Sequence, residues 1–349
     1  MNIQRLYDIL SLKRGHGSVG EKRMIDEVIM PHNPHVFTKP NGDVLAYHLS
    51  NPSPEGMPHT TTLFCAHTDT VHGIANKRND GSYINSWTYD TGTNVIHADG
   101  DVLGADDGAG LWLLLEMYEA GVPGDYLFHR GEECGGIGSS GMVEHYATFI
   151  SSFDRAIAFD RKGTHSIITH QRFYERCCSD KFAEALGFEL TCDTYFYSCD
   201  DTGVFTDTAN YTDLIGECTN VSIGYYDEHT AKERLDLGYL LSLRNKCIAL
   251  DWENLPTVRA PGEVDFHPAS ARFGRSYSYE FDYGLKKKVI TIHDLYEMSF
   301  DELEDFCYEF PEKAAQLLQD FMYGFEVDPV GNYVDDEPED LDNLDVGMK

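Results

Sequence analysis

The chain has 349 residues, of which 59 are acidic and 27 basic, giving a formal net charge of −32. That balance excludes a nucleic-acid binder, because affinity for phosphate comes from Lys and Arg, and it favours a well-solvated surface. The sequence has no apolar run of about 18 residues, the length a membrane span needs. Residues 1–5 open an amphipathic pattern rather than a secretory segment, so a cytoplasmic protein is expected. The nine Cys are scattered without a C-x-x-C pair. Reduced, mostly buried thiols are therefore expected, not a disulfide framework or a zinc ribbon.

In chain order, Ile3, Leu6, Tyr7, Ile9 and Leu10 predict a first helix. Ser18 and Glu21 have the spacing of a capping box and open a second helix reaching Ile29. Asn41-Gly42 is a hairpin signal between two short apolar runs. After a Pro-rich loop at 51–59, residues 60–66 read as a buried strand ending in His67. Residues 76–99 read as loop, with a hairpin at most. Residues 103–110 form a glycine-framed turn carrying Asp106 and Asp107, and Leu111, Leu114, Leu115 and Tyr118 then give a helix at 111–119.

Strands at 126–128 and 156–159 end in Glu132-Glu133 and in Asp160. A further strand at 166–170 and a short helix at 179–186 follow. The run 220–226 leads to His229, and 233–252 reads as one long helix with Arg244 interrupting its apolar side, its stem packed and its charge in solvent. The alternation of strands and helices predicts an α/β fold, a mixed, mainly parallel sheet with helices on both faces. The core is placed at 1–252. A small α+β extension at 253–333 comprises a loop at 253–280, a strand at 286–292 and helices over 300–306 and 311–321. Residues 334–349 form an acidic tail expected to be disordered.

An apolar run delivers His67, Asp106, Glu133, Asp160 or His229 to its end five times, and that edge is where open α/β sheets bind ligands. Two His and three carboxylates form a nitrogen–oxygen set suited to zinc, manganese or cobalt. Two ions about 3.5–4 Å apart would need one carboxylate to bridge them. Asp69, two residues after His67, suits the partner that accepts the far imidazole N–H. Glu132 suits a general base for an activated water. Asp107 and Glu228 are further acids at these turns, and His72 and His129 are further candidates to line the site.

At these residues the chain resembles the co-catalytic zinc exopeptidases, which include peptidase T and the leucyl and glutamyl aminopeptidases. Ala66-His67-Thr68-Asp69 resembles their His-x-Asp motif. Gly104-Ala105-Asp106-Asp107-Gly108-Ala109-Gly110 is similar to the peptidase T turn, and Glu132-Glu133 to their acidic pair. The resemblance implies that Asp106 bridges the two ions and that Asp160 and His229 are the last ligands. It also implies that residues 198–205 lie near the substrate. Two divalent metal ions, zinc first with manganese or cobalt as alternatives, are the implied cofactors.

The implied activity is hydrolysis of a terminal peptide or related amide bond, by an aminopeptidase rather than a carboxypeptidase. A deacylase or cyclase on the same scaffold, or a non-catalytic metal-binding relative, is the alternative. Arg161, Lys162, Arg172 and Arg176 are candidates to bind a substrate carboxylate, and Asp201 an amine. The segments between His67 and Asp106 and between Asp160 and His229 are too short for the extra domains of the two related branches. A bare catalytic core follows, with a peptide or amide small molecule as partner, no nucleic acid or membrane, and a monomer allowed.

Overall fold

The computed structural model describes residues 1–53, 61–72, 83–172, 175–192 and 194–263 in full, with the backbone of 278–283 and 286–291. The chain divides into two compact units, Met1–His267 and Pro268–Lys349.

The first unit opens with α1 (Ile3–Leu10), α2 (Val19–Met24), β1 (His35–Thr38), β2 (Val44–Asn51) and β3 (Thr62–His67). The hairpin β4 (Trp87–Asp90) and β5 (Val95–Ala98) precedes α3 (Ala105–Glu119), β6 (Gly124–His129), α4 (Ile137–Ile150) and β7 (Arg155–Arg161). Then come β8 (Ser166–Ile168), β9 (His170–Gln171), β10 (Glu175–Arg176), α5 (Asp180–Leu190) and β11 (Ser198–Asp200). The unit closes with β12 (Glu217–Ser222), β13 (Tyr225–Tyr226), β14 (Arg234–Asp236) and α6 (Leu237–Ala249).

Eight strands form the central sheet in the order β1-β2-β6-β3-β7-β12-β8-β11. The four in the middle, β6, β3, β7 and β12, are mutually parallel, and β2 and β8 flank them antiparallel. This is the mixed, mainly parallel sheet that the strand–helix alternation predicts. Its middle strands are buried on both faces, as parallel strands covered by helices must be.

The two faces are read off by the period of two. Phe64, Ala66, Tyr126, Phe128, Ile157 and Phe159 join the layer of α1, α3, α5 and α6. Leu63, Cys65, Leu127, Ala156 and Ala158 alternate with them and pack with Met142 and Ile150 of α4 and with Tyr211. Helix α3 is the centre of the first layer. Trp112 and Leu113, off its expected apolar stripe, are as buried as Leu111, Leu114 and Leu115, so the helix is covered all round.

Three local expectations are corrected. The second helix is α-helical only to Met24 and continues as a π-helical turn at Ile25–Ile29. Residues 234–236 are a strand, because β14 pairs with β5, and the helix starts one residue after the Asp236 cap, whose side chain accepts from Tyr239 N. Arg244 does not end in solvent: its Nε donates to buried Glu116 at 2.7 Å.

In the second unit, β15 (Ser278–Tyr283) pairs antiparallel with β16 (Lys286–Thr291). The strand expected at 286–292 is present, and the loop expected to reach 280 instead ends in a strand. Its alternating Tyr279, Phe281 and Tyr283 carried that signal. The helices expected at 300–306 and 311–321 and the acidic run at 335–345 lie outside the described residues.

Candidate metal centre

The carboxyl ends of the middle strands meet at one edge, and the five expected ligands come together there. The Nε2 of His67 lies 3.1 Å from Asp106 Oδ1 and 3.5 Å from Asp160 Oδ1. The Nε2 of His229 lies 3.2 Å from Asp106 Oδ2 and 3.1 Å from Glu133 Oε1. Asp106 thus turns one oxygen to each of two triads, His67–Asp106–Asp160 and Asp106–Glu133–His229.

Imidazole nitrogens and carboxylate oxygens this close need a proton or a cation between them. Donors about 2.0–2.2 Å from a zinc ion stand about 3.3–3.5 Å apart on a tetrahedron. The observed spacings of 3.1–3.5 Å lie at or just below that value. Hydrogen bonds to Asp106 and Glu133 hold His229 up at about 11. Burial and the charge of Asp106 push Asp160 up to about 7. Burial likewise raises Glu133 and carries Glu132 well above the usual carboxylate range.

The turn that presents Asp106 is held from below. Gly104 takes a left-handed conformation, φ 74°, and Asp106 and Asp107 depart from helical dihedrals inside α3. Asp107 lies within ligand reach of His67 and Asp160. Its oxygens are engaged elsewhere, however, accepting the N–H of His67 at 3.1 Å and of Gly110 at 2.9 Å. A Cβ at Gly110 would collide with that carboxylate and sit 2.6 Å from the Phe159 carbonyl, so glycine is required there. Asp160 is fixed by Thr206 Oγ1, which donates to Oδ2 at 2.9 Å, and by Tyr225, whose hydroxyl donates to its main-chain oxygen at 2.9 Å. Asn220 pairs with the Asp160 main chain on both sides, at 2.9 and 3.0 Å.

Asp69 does two things. The imidazole Nδ1 of His67 lies 3.2 Å from the main-chain oxygen of Asp69 and 3.6 Å from its carboxylate. The main-chain oxygen is thus the nearer acceptor, with the carboxylate expected to accept it close behind. With Nδ1 donating there, the Nε2 lone pair is left for a ligand. The Asp69 carboxylate accepts the N–H of Gly131 at 3.0 Å and of Glu132 at 3.1 Å, and so shapes the turn that carries Glu132 and Glu133. A buried Glu21 braces the same turn through Arg130 Nη2 at 2.6 Å and Thr68 Oγ1 at 2.7 Å. Glu21 was read only as a helix cap. Its side chain in fact accepts from Gly17 N at 2.6 Å and serves this network.

A cavity of about 280 Å³ opens on the centre, lined by Asp106, Glu132, Glu133, Asp160 and His229 and, on its far wall, by Ile168, Val204 and Phe205. Of the basic candidates, Arg161 and Lys162 reach it and Arg172 and Arg176 do not. Arg161 faces Asp200 at 3.5 Å and Lys162 pairs with Glu228 at 2.6 Å. Asp201 is not among the lining residues. His72 and His129 do not line the cavity: His72 lies between Thr70 and Val102, and His129 between Asp207 and Tyr211.

The fold has counterparts among solved structures. The aminopeptidase PepT of Bacillus cereus superposes with a TM-score of 0.52 at 14% identity, over 72% of this chain and 97% of that one. A tripeptidase of Staphylococcus aureus gives 0.53 at 13%, over 70% and 95%. The chain has their fold. The TET1 peptidase of Pyrococcus horikoshii, which can assemble into a tetrahedron or a large octahedral shell, gives 0.50 at 15% identity over 71% and 98%. No protein-family profile and no curated protein matches the sequence. Among the described residues no helix is long and apolar enough to cross a membrane.

Glu233, Thr206, Tyr225 and Asn220 were not singled out from the sequence. Asn220 and Tyr225 fall in the run 220–226, where nothing marks either as a partner of Asp160.

Proposed function

We propose that this chain is a metal-dependent exopeptidase of the aminopeptidase type. The observation that carries the reading is the division of the Asp106 carboxylate between two triads, with Glu132 on the wall of the same cavity. Two divalent ions, zinc first, would be held by His67, Asp106 and Asp160 and by Asp106, Glu133 and His229, and would supply Lewis acidity to the scissile carbonyl and to water.

The chain's own residues do the rest. Glu132 takes a proton from the attacking water as the oxygen–carbon bond forms. It returns that proton to the leaving nitrogen as the carbon–nitrogen bond breaks. Asp69 aims Glu132 through the two N–H groups it holds and fixes the tautomer of His67. Asn220, Thr206 and Tyr225 keep Asp160 in place.

The cavity supports recognition of a free amino terminus. Its lining acids are Asp106, Glu132, Glu133, Asp160 and Glu228, and its two bases already face acids of the chain.

Cleavage of aminoacyl p-nitroanilides is the test, run beside their N-acetyl counterparts with and without a chelator. Cleavage of the free-amine substrates alone, lost on chelation and restored by zinc, is the expected result. Equal cleavage of the N-acetyl compounds overturns the amino-terminal reading, and indifference to chelation overturns the metal.

A further inference from the structure

Outside the two triads, one buried carboxylate has no catalytic or ligating task and an unusual set of partners. Glu233 is almost fully buried. Its Oε2 accepts the N–H of Leu103 at 2.8 Å and of Gly104 at 3.0 Å, and its Oε1 those of Ala105 at 2.8 Å and Asp106 at 3.1 Å. A carboxylate from a loop about 130 residues away thus fills the concave run of main-chain N–H groups that opens α3, a natural anion cradle. The turn is also held from its other side, where the fully buried Arg14 donates to the Gly104 carbonyl at 2.6 Å.

The position of Glu233 in the chain gives this cradle its meaning. It stands four residues after His229, and its main chain is fixed in turn, since its N–H donates to Thr230 at 3.1 Å and its carbonyl accepts from Ala98 at 2.9 Å. His229 itself is half exposed, with φ 63°. The contacts of its ring are with Asp106 and Glu133. The His67 half of the centre is secured by other means, Asp107 on the His67 N–H and Thr206 and Tyr225 on Asp160.

We infer that Glu233 is a positioning residue that ties the His229 loop to the Asp106 turn and thereby sets the affinity of the His229 half of the centre for its ion. The inference rests on the metal reading above and goes beyond it: Glu233 meets Asp106, which both halves share, only at its main chain, whereas it is the link that anchors the His229 loop, so the His229 half depends on it more. In Glu233→Gln the amide keeps the shape but turns an NH₂ toward donors, so two of the N–H groups lose their acceptor.

The test is a zinc titration of the whole chain in chelator buffers, with bound metal counted by elemental analysis. Wild type, Glu233→Gln and Glu233→Asp are compared, and His229→Ala identifies which binding step belongs to the His229 half. Loss of a partner behind a ligand typically weakens metal binding about 10–100-fold, and in Glu233→Gln a loss of that size is expected at the His229 step, with a smaller one at the His67 step through the shared Asp106. Glu233→Asp, which keeps the charge but falls short of the cradle, should lie between it and wild type. Circular dichroism and the unfolding midpoint of the metal-free chains separate positioning from a general loss of structure. Equal weakening of both steps, or of neither, overturns the inference while leaving the two-ion reading intact. A wild-type chain that takes up no ion overturns both.

Discussion

Asp107 holds His67 by its main chain, accepting its N–H at 3.1 Å, while the neighbouring Asp106 faces the ring of the same histidine at 3.1 Å. Two adjacent aspartates therefore grip one residue from two sides, one at its main chain and one at its ring. The two aspartates should separate cleanly on mutation.

Asp107→Ala leaves the N–H groups of His67 and Gly110 buried without an acceptor. At about 1–3 kcal/mol for each unsatisfied group, the metal-free chain should lose about 2–6 kcal/mol of unfolding free energy in urea. An unchanged midpoint with an unchanged slope would show that the two groups find other partners.

Asp106→Ala should act on metal rather than on stability. Wild type equilibrated with zinc is expected to hold two ions per chain by elemental analysis, as a shared bridging carboxylate requires. The variant is expected to hold one ion or none. Full retention of both would remove Asp106 as the bridge.

Glu132→Gln keeps the size of the side chain and removes its ability to carry a proton. General acid–base groups contribute about 10²–10⁴-fold, so kcat should fall by that factor while metal content stays at the wild-type value. Wild-type turnover in this variant would move the proton shuttle elsewhere, with Glu228, also on the cavity wall, next to test.

His72, beside the Gly104 turn but not lining the cavity, predicts an acid sensitivity. Burial, and after it the charge of Arg14, holds its imidazole down at about 4, against an unfolded value of about 6.5. Above pH 6.5 the ring is neutral in both states and has no effect on pH dependence. As pH falls from 6.5 to 4 the unfolded chain takes up a proton that the folded chain refuses, so stability falls, by up to about 3 kcal/mol. His72→Gln should flatten the unfolding free energy over that window relative to wild type. Parallel curves would show that other groups set the acid limb.

The sequence was most legible where a single period or a short motif fixed the answer. The buried strands ending at His67 and Asp160 are unbroken apolar runs, and the candidate ligands stand at their ends. The Glu132-Glu133 pair and the Asp106-Asp107 turn were readable because glycines frame them. Legibility failed where the partner is distant. Nothing around Glu233 announces an acceptor for N–H groups at 103–106, and nothing at Glu21 announces Arg130. The strand at 234–236 was hidden for the same reason, since its three residues are extended only because β5 lies beside them. The division of labour at Asp69 turned on whether a side chain or a peptide oxygen meets the imidazole, which spacing does not encode.

The strict alternation along β3 has an evolutionary consequence. Phe64 and Ala66 belong to one layer and Leu63 and Cys65 to the other, so deleting one residue between Thr62 and His67 would exchange the layers for every side chain before it or drag His67 back from the sheet edge. Substitutions that preserve volume are tolerable along this strand, but changes of length are not. Among divergent descendants of this chain, the interval from Thr62 to Asp69 should keep its length even where little of its sequence survives.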